Sequence, residues 1–127
     1  MSPLGALYLL AAALCVALAI AHSYLGERYI LIRLFRRTDI PKLFGDTEFT
    51  KRTLRFAWHL TSITWLGIAA LFFLLAQGAL SSDAVAAVLS VVFLISAGVT
   101  VVASRGRHLA WPVFLIIGII ALYGAKA

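Results

Sequence analysis

Four apolar stretches, each near the length of a membrane-spanning helix, make up most of this chain of 127 residues. A helix needs roughly 20 apolar residues to cross the ~30 Å hydrocarbon core of a bilayer. Apolar residues form 63% of the chain and charged residues 13%, and the mean hydropathy is +1.02, which leaves no material for a separate soluble domain. The sequence therefore predicts an all-α fold, a single-domain integral membrane bundle of four transmembrane helices. The predicted spans cover about residues 3–25, 56–77, 84–103 and 108–125.

The basic residues are confined to one side of these spans. Ten of the eleven Lys and Arg lie in residues 28–55 or 105–107, whereas the other side holds only Lys126. Lys and Arg concentrate in cytoplasmic loops, so the basic loop 28–55 is predicted to be cytoplasmic and both termini to lie outside (N-out, C-out). We expect a bacterial inner (plasma) membrane. The formal charge of +6 is then expected to bring contact with anionic lipid headgroups in the bilayer, and not with nucleic acid.

The first apolar stretch has two interpretations. Ala19-Ile20-Ala21 has the form of a signal-peptide cleavage site, but no basic residue precedes the stretch and a strongly basic segment follows it. We therefore predict a retained helix. Its single cysteine excludes an intrachain disulfide. Residues spaced four apart form a stripe, mostly of small side chains, that would let a neighbouring helix approach closely: Ala11, Cys15, Ala19, Ser23 and Glu27.

Turn-forming and polar residues predict where the helices begin and which hydrogen bonds their hydroxyl groups form. Residues 29–35 mix apolar and basic side chains, which indicates either a continuation of the first helix or an interfacial helix. A proline and a glycine then end it, and Asp46 or Thr47 can cap a second helix over about 47–77. In the third span, hydroxyls spaced four apart are expected to bond carbonyls one turn earlier: Ser96, Thr100 and Ser104.

Polar side chains that are costly inside a bilayer fall at one depth. One histidine lies six residues before Arg28, or ~9 Å inside the boundary at 1.5 Å per residue, and another lies four residues after Arg55, or ~6 Å inside. A third directly follows Arg107. We predict that these histidines and one carboxylate gather in the cytoplasmic half of the bundle, with Arg55 or Arg107 neutralising the carboxylate. The residues are His22, Glu27, His59 and His108.

Several functions fit such a layer. The first is a metal site for Zn, Cu or Fe with ligands from His22, Glu27, His59 and His108, or a haem b site with His59 and His22 as cofactor ligands. The second is a hydrogen-bonded network that pins the helices in a structural or interaction subunit, the scaffold of a homo-oligomer or of a larger membrane complex. The third is a proton or small-solute pathway. No G-x-S-x-G motif for nucleophilic catalysis is present, and whether the chain is an enzyme stays open.

Two short patterns resemble known proteins. His59, Trp65 and Gly67 form H-x5-W-x-G, which resembles a helix in membrane haem and copper proteins of the copper-resistance membrane domain and the membrane protoporphyrinogen oxidase families. That resemblance implies that His59 is an axial-type ligand. Residues 22–27 and 56–62 are similar to segments of small uncharacterised bacterial four-helix inner-membrane proteins, and this likeness implies no activity.

Overall fold

The computed structural model describes residues 2–127, and within this range the chain is helical with no strand. Three helices are long and apolar enough to cross a membrane. The chain is therefore a membrane protein built as a helical bundle. The fourth is apolar but has 15 residues, or ~22 Å, so its crossing stays a prediction, as do the orientation and the kind of membrane. The helices are α1 (Pro3–Leu34), α2 (Glu48–Ala76), α3 (Ser82–Ser104) and α4 (Ala110–Gly124).

The first helix does not end near residue 25 but continues through the mixed basic and apolar segment. Its α-helical part, Pro3–Leu25, passes into a π-helical turn over Gly26–Leu31, where the N–H of Ile32 bonds the carbonyl of Glu27. Of the two predicted alternatives, the structure shows the continuous helix. A π turn inserts one extra residue into the helix, and such turns are frequent at functional sites.

The second helix begins where the sequence predicts it, at a capped turn. Phe44 and Gly45 adopt left-handed backbone conformations (φ 57° and 93°), which reverses the chain, and the N–H of Leu43 bonds the carbonyl of Asp46. The Asp46 carboxylate then accepts the N–H of Glu48 at 2.9 Å. A side chain thus satisfies one of the free donors at the helix start, and Asp46 rather than Thr47 supplies it.

The helices pack in the order of the chain: α1 on α2, α2 on α3, and α3 on α4. Among residues 2–127, α1 packs on α2 alone, so the four helices form an open row instead of a closed ring. We call the end of this row that carries loops 35–47 and 105–109 the basic end. The arrangement leaves α1 with a single helical neighbour.

The packed face of α1 is a stripe of small residues, as predicted, but along a different line. Gly5, Ala12, Ala19 and Gly26 are buried at intervals of seven, so only Ala19 of the predicted stripe belongs to it. A seven-residue interval keeps one face turned toward a neighbour that crosses at a shallow angle. At Gly26 the indole of Trp58 fills the free space, since a Cβ there would lie 2.1 Å from Nε1.

The hydroxyls of α3 show how this apolar helix satisfies its polar groups. Ser96 and Ser104 donate to carbonyls one turn earlier at 2.7 and 2.6 Å, as predicted. The prediction is wrong for Thr100, whose buried Oγ1 has no hydrogen-bond partner among the described residues. Ser90 instead reaches across to α4 and donates to the carbonyl of Gly118 at 2.9 Å. This interhelical bond fixes the α3–α4 pair in register.

Candidate functional site

His59 joins α2 to α1 near the basic end, and both of its ring nitrogens have partners on α1. Nδ1 lies 2.9 Å from Oγ of Ser23, and Nε2 lies 3.2 Å from Oε2 of Glu27. Ser23 and Glu27 are four residues apart, so they share one face of α1. A single imidazole is therefore held between two side chains from successive turns of the neighbouring helix.

Two further side chains of α2 extend this contact at either end. Arg55 Nη2 lies 2.9 Å from Glu27 Oε1, and Arg55 Nε donates to Oε2 at 3.2 Å. At the other end, the hydroxyls of Ser23 and Ser62 lie 2.7 Å apart. This series of contacts begins at Arg55, which is about half exposed, and ends at Ser62, which is 5% exposed. We call this set the clasp: Arg55, Glu27, His59, Ser23 and Ser62.

The clasp fits two arrangements of its protons. An ionised Glu27 only accepts hydrogen bonds, so Nε2 of His59 must carry a hydrogen in either arrangement. If Ser62 donates to Ser23, the Ser23 hydroxyl donates to a bare Nδ1 and the imidazole is neutral. If Ser23 donates to Ser62, Nδ1 must itself donate and the imidazole is a cation. The direction of one hydroxyl bond is therefore coupled to the charge of His59.

His22 lies beside the clasp but belongs to an aromatic stack. Its ring is parallel to that of Trp58, with centroids 4.5 Å apart, and meets Trp65 edge-on at 4.9 Å. The Trp58 indole also donates to the backbone carbonyl of His22 at 3.0 Å. The buried Nε2 of His22 has no hydrogen-bond partner in the described chain. Because successive helical residues turn by 100°, His22 and Glu27 point to different sides of α1.

His108 stabilises the start of α4. Its Nδ1 accepts the N–H of Ala110 at 3.2 Å, as a capping side chain does. The ring meets Phe56 edge-on at 5.0 Å and stacks near Phe49 at 6.1 Å. One ring nitrogen of His108 is therefore bonded at a helix start, and the ring packs on two phenyl rings. That His108 joins His59 and Glu27 in one site stays a prediction.

The structure thus assembles part of the predicted constellation. Glu27 and His59 are in contact, and Arg55, one of the two predicted partners, neutralises Glu27. Within residues 2–127, no three side chains of His, Cys, Asp or Glu are placed to hold one metal ion. Binding of Zn, Cu, Fe or haem by His22, Glu27, His59 and His108 stays a prediction that this geometry does not support.

Sequence reasoning missed the two serines and the role of Trp58. Ser23 had been assigned only to a small-residue stripe, although its interval of four to Glu27 places both on the face that meets α2. Ser62 follows His59 by three residues, the interval that puts two side chains on one face of a helix. Those intervals were a usable signal, but which faces meet depends on the register between α1 and α2.

Open grooves flank His59 on two sides. One, of about 560 Å³, lies between α2 and α3 and carries Lys51 and Arg52 at its rim. The other, of about 690 Å³, lies along α1 and is lined by Tyr24 and Arg28. His59 lines both grooves, so the imidazole separates two surfaces at the basic end.

Comparisons of this chain with protein-family models, with curated proteins and with solved structures give no match. The residues of the H-x5-W-x-G pattern all have packing or bonding roles in the structure. His59 belongs to the clasp, Trp65 packs on His22, and Gly67 lies so close to Val92 that a Cβ would come within 2.5 Å of Cγ2. The pattern is therefore accounted for by contacts within the bundle.

Proposed function

We propose that this protein is an interaction subunit, or scaffold, of a membrane assembly, and that the clasp fixes α1 and α2 as one rigid hairpin within it. The observation that carries the proposal is that the clasp is closed on itself. Both ring nitrogens of His59 and both carboxylate oxygens of Glu27 are bonded to side chains of the hairpin. In this arrangement neither ring nitrogen of His59 is free to coordinate a metal.

The open row of helices supports a role in assembly. Because α1 packs on α2 alone, the rest of its circumference is exposed, and Leu7, Leu10 and Leu14 form one apolar face there. In a bilayer such a face meets either lipid or another helix, and the hairpin presents it without any obstruction from α3 or α4. Small-residue and polar contacts such as those between α1 and α2 are the usual means of joining helices in membranes.

The test is the mass of the protein in its own membrane. Full-length tagged protein, expressed at its natural level and extracted with its lipids in polymer nanodiscs, is expected to show an assembly well above the 13.7 kDa chain. A Glu27→Gln/His59→Ala variant should lose that assembly, because the hairpin loosens. Thr64→Ala, which removes a hydroxyl bonded only to its own helix at 3.1 Å, is the matched control and should keep it.

Two results would contradict the scaffold. If the wild-type protein is monomeric in its membrane, the proposal is wrong. An assembly that survives in the Glu27→Gln/His59→Ala variant would show that the clasp has no part in it.

A proton relay is the second candidate, and the coupled proton arrangements of the clasp favour it. His59 lines grooves on two sides, and a hydroxyl pair continues from it toward the apolar part of the hairpin. Proteoliposomes with an internal pH dye would then show proton flux in the wild type, and His59→Gln would abolish it. Flux equal to that of empty liposomes would exclude the relay and leave the scaffold.

A further inference from the structure

A groove on one side of the α2–α3 seam is lined by cations at the basic end. Lys51, Arg52 and Arg55 come from the first turns of α2, and Glu48 is the one carboxylate among the described residues lining this part. Arg55 is already bonded to Glu27. Lys51 and Arg52 approach Glu48 only to 3.9 Å and stay about one-third exposed. Arg52 Nη1 also donates to the carbonyl of Ala103 at 3.4 Å. Among the described lining residues, Glu48 is thus the one carboxylate near these two cations, which leaves a net positive charge for an anion that enters the groove.

Farther along the same seam the groove becomes apolar. Ile63 and Leu66 of α2 face Val91 of α3 across a volume of about 450 Å³. Gly67 and Val92 also line it, and Gly67 leaves room for the side chain of Val92, whose Cγ2 would lie 2.5 Å from a Cβ at that position. The absence of a side chain at Gly67 thus shapes a shallow channel suited to hydrocarbon.

The cationic and apolar parts follow one face of each helix. His59 lines the first part and Ile63 the second, and these residues are four apart on α2. On α3, Val99 lines the first part and Ile95 lines the second, and these residues are also four apart. One leaflet of hydrocarbon is ~15 Å deep. Ile63 lies eleven residues after Arg52, or ~16 Å along α2, so an acyl chain that starts at a phosphate beside Arg52 can reach the apolar part.

We propose that this groove is a binding site for an anionic phospholipid, whose phosphate lies at Lys51 and Arg52 and one of whose acyl chains follows the seam over Gly67. The charge at the rim suits a phosphodiester, and the apolar floor suits an acyl chain. Both parts are open along their length, as a site entered sideways from a bilayer must be. The proposal goes beyond the scaffold role and does not depend on it, because Lys51 and Arg52 take no part in the clasp.

The opposite side of the same seam shows what an ordinary helix contact looks like in this protein. There Leu60 and Thr64 of α2 face Phe93 of α3, and Phe114 of α4 lies against them. Of the described residues that line this side, none is Lys or Arg, and its volume is about 310 Å³. At the depth of the apolar channel, the side bordered by α4 is therefore smaller than the side away from α4. At the basic end, Arg105 and Arg107 line a further cavity of about 180 Å³ together with Arg52.

The headgroup part is tested by native mass spectrometry of the full-length protein in detergent, titrated with phosphatidylglycerol or with phosphatidylcholine of identical acyl chains. Phosphatidylglycerol should bind more tightly, and Lys51→Gln/Arg52→Gln should weaken its binding about fivefold per cation removed. Arg36→Gln/Lys42→Gln removes the same two charges from exposed positions outside the groove and should change binding by less than about twofold.

The acyl part is tested by Val91→Trp, which fills the apolar channel and leaves the cations in place. Binding of both lipids should fall about tenfold, the equivalent of roughly two buried methylene groups. Circular dichroism verifies that each variant stays helical. Equal binding of the two lipids by the wild type, an equal loss in the control pair, or unchanged binding in Val91→Trp overturns the proposal. If Val91→Trp lowers the mass of the assembly while lipid binding persists, the groove holds a partner helix and the proposal is wrong.

Discussion

The two hairpins of this molecule are held together by different means. In α1–α2, a carboxylate, an arginine, an imidazole and two hydroxyls meet at the basic end, above a stripe of small residues. In α3–α4, one hydrogen bond joins the helices, from the Ser90 hydroxyl to the carbonyl of Gly118. The rest of the contact is close packing, as where Leu94 lies against Gly118. The pairing of α1 with α2 therefore adds ionised groups to a contact between small residues such as Gly26, whereas the pairing of α3 with α4 has the close contact at Gly118 without ionised groups. Salt concentration should therefore change the stability of the first hairpin and leave that of the second unaffected.

The largest effect is expected from Gly118→Ala, which disturbs the hairpin held by shape. The new Cβ would lie 2.7 Å from Leu94 Cδ2 and 3.1 Å from the Leu94 backbone nitrogen, so α3 and α4 must move apart. We expect a loss of about 2 kcal/mol in the free energy of unfolding, measured by steric trapping in bicelles. Gly98→Ala is the matched control, because nothing lies within 4 Å of its Cβ. Equal losses for both substitutions would contradict the close approach.

Glu27→Gln disturbs the hairpin held by charge. The substitution leaves Arg55 and His59 without their shared anion, and because these groups are partly exposed we expect a loss of only about 1 kcal/mol. Double-mutant cycles with Arg55→Gln should give a coupling energy that decreases in 1 M salt, while the effect of Gly118→Ala stays constant. A coupling that is insensitive to salt would mean that the two hairpins do not differ in this way.

The ion pair of Arg37 with Asp39 lies outside both hairpins and should matter least. The Arg37 hydrogen bond holds the pKa of Asp39 below its ordinary value of 3.8. A lowered pKa stabilises the folded loop above pH 3.8, and this contribution is lost as the pH falls through the folded value. In Arg37→Gln the pKa of Asp39, followed by NMR of the carboxyl carbon, should rise toward 3.8 with no measurable change in unfolding. An unchanged pKa would show that the pair does not form in solution.

No change in metal content is expected when the clasp is removed. Protein purified from cells supplied with metals and a haem precursor is analysed for bound Zn, Cu and Fe and for a haem absorption band, in the wild type and in His59→Ala. Because the nitrogens of His59 are already bonded within the hairpin, both proteins should give background values. About one equivalent of metal or haem that disappears in His59→Ala would restore the ligand prediction and overturn the closed clasp.

The positions of the helices could be predicted because their causes are local. Apolar runs and turn residues located α1 to α4, and the carboxylate of Asp46 marked the start of α2. The length of α1 was less certain, since its mixed segment fits either a continuing or an interfacial helix. The structure continues it through Leu34.

The candidate site was only partly predictable because it depends on contacts between helices. Charge positions along the chain placed Glu27 at the depth of Arg55 and Arg107, and the structure selects Arg55 as its partner. Depth does not determine which faces meet, so the hydrogen bonds of Ser23 and Ser62 and the bond of His108 at the start of α4 were not predicted. The predicted stripe is partly right for the same reason. Its members Ala19, Ser23 and Glu27 face α2, whereas the other buried small residues follow an interval of seven, which only the position of α2 determines.

The open row also has a consequence for how the protein is made. Every helix packs on the one that precedes or follows it in the chain, so no helix has to wait for a distant segment before it finds a partner. A chain with such local contacts has little loop entropy to lose at each step, and short-range topologies of this kind form rapidly. Each hairpin can therefore close in turn as it leaves the ribosome and enters the bilayer. The clasp would form as soon as α2 is inserted, well before α4 has been synthesised.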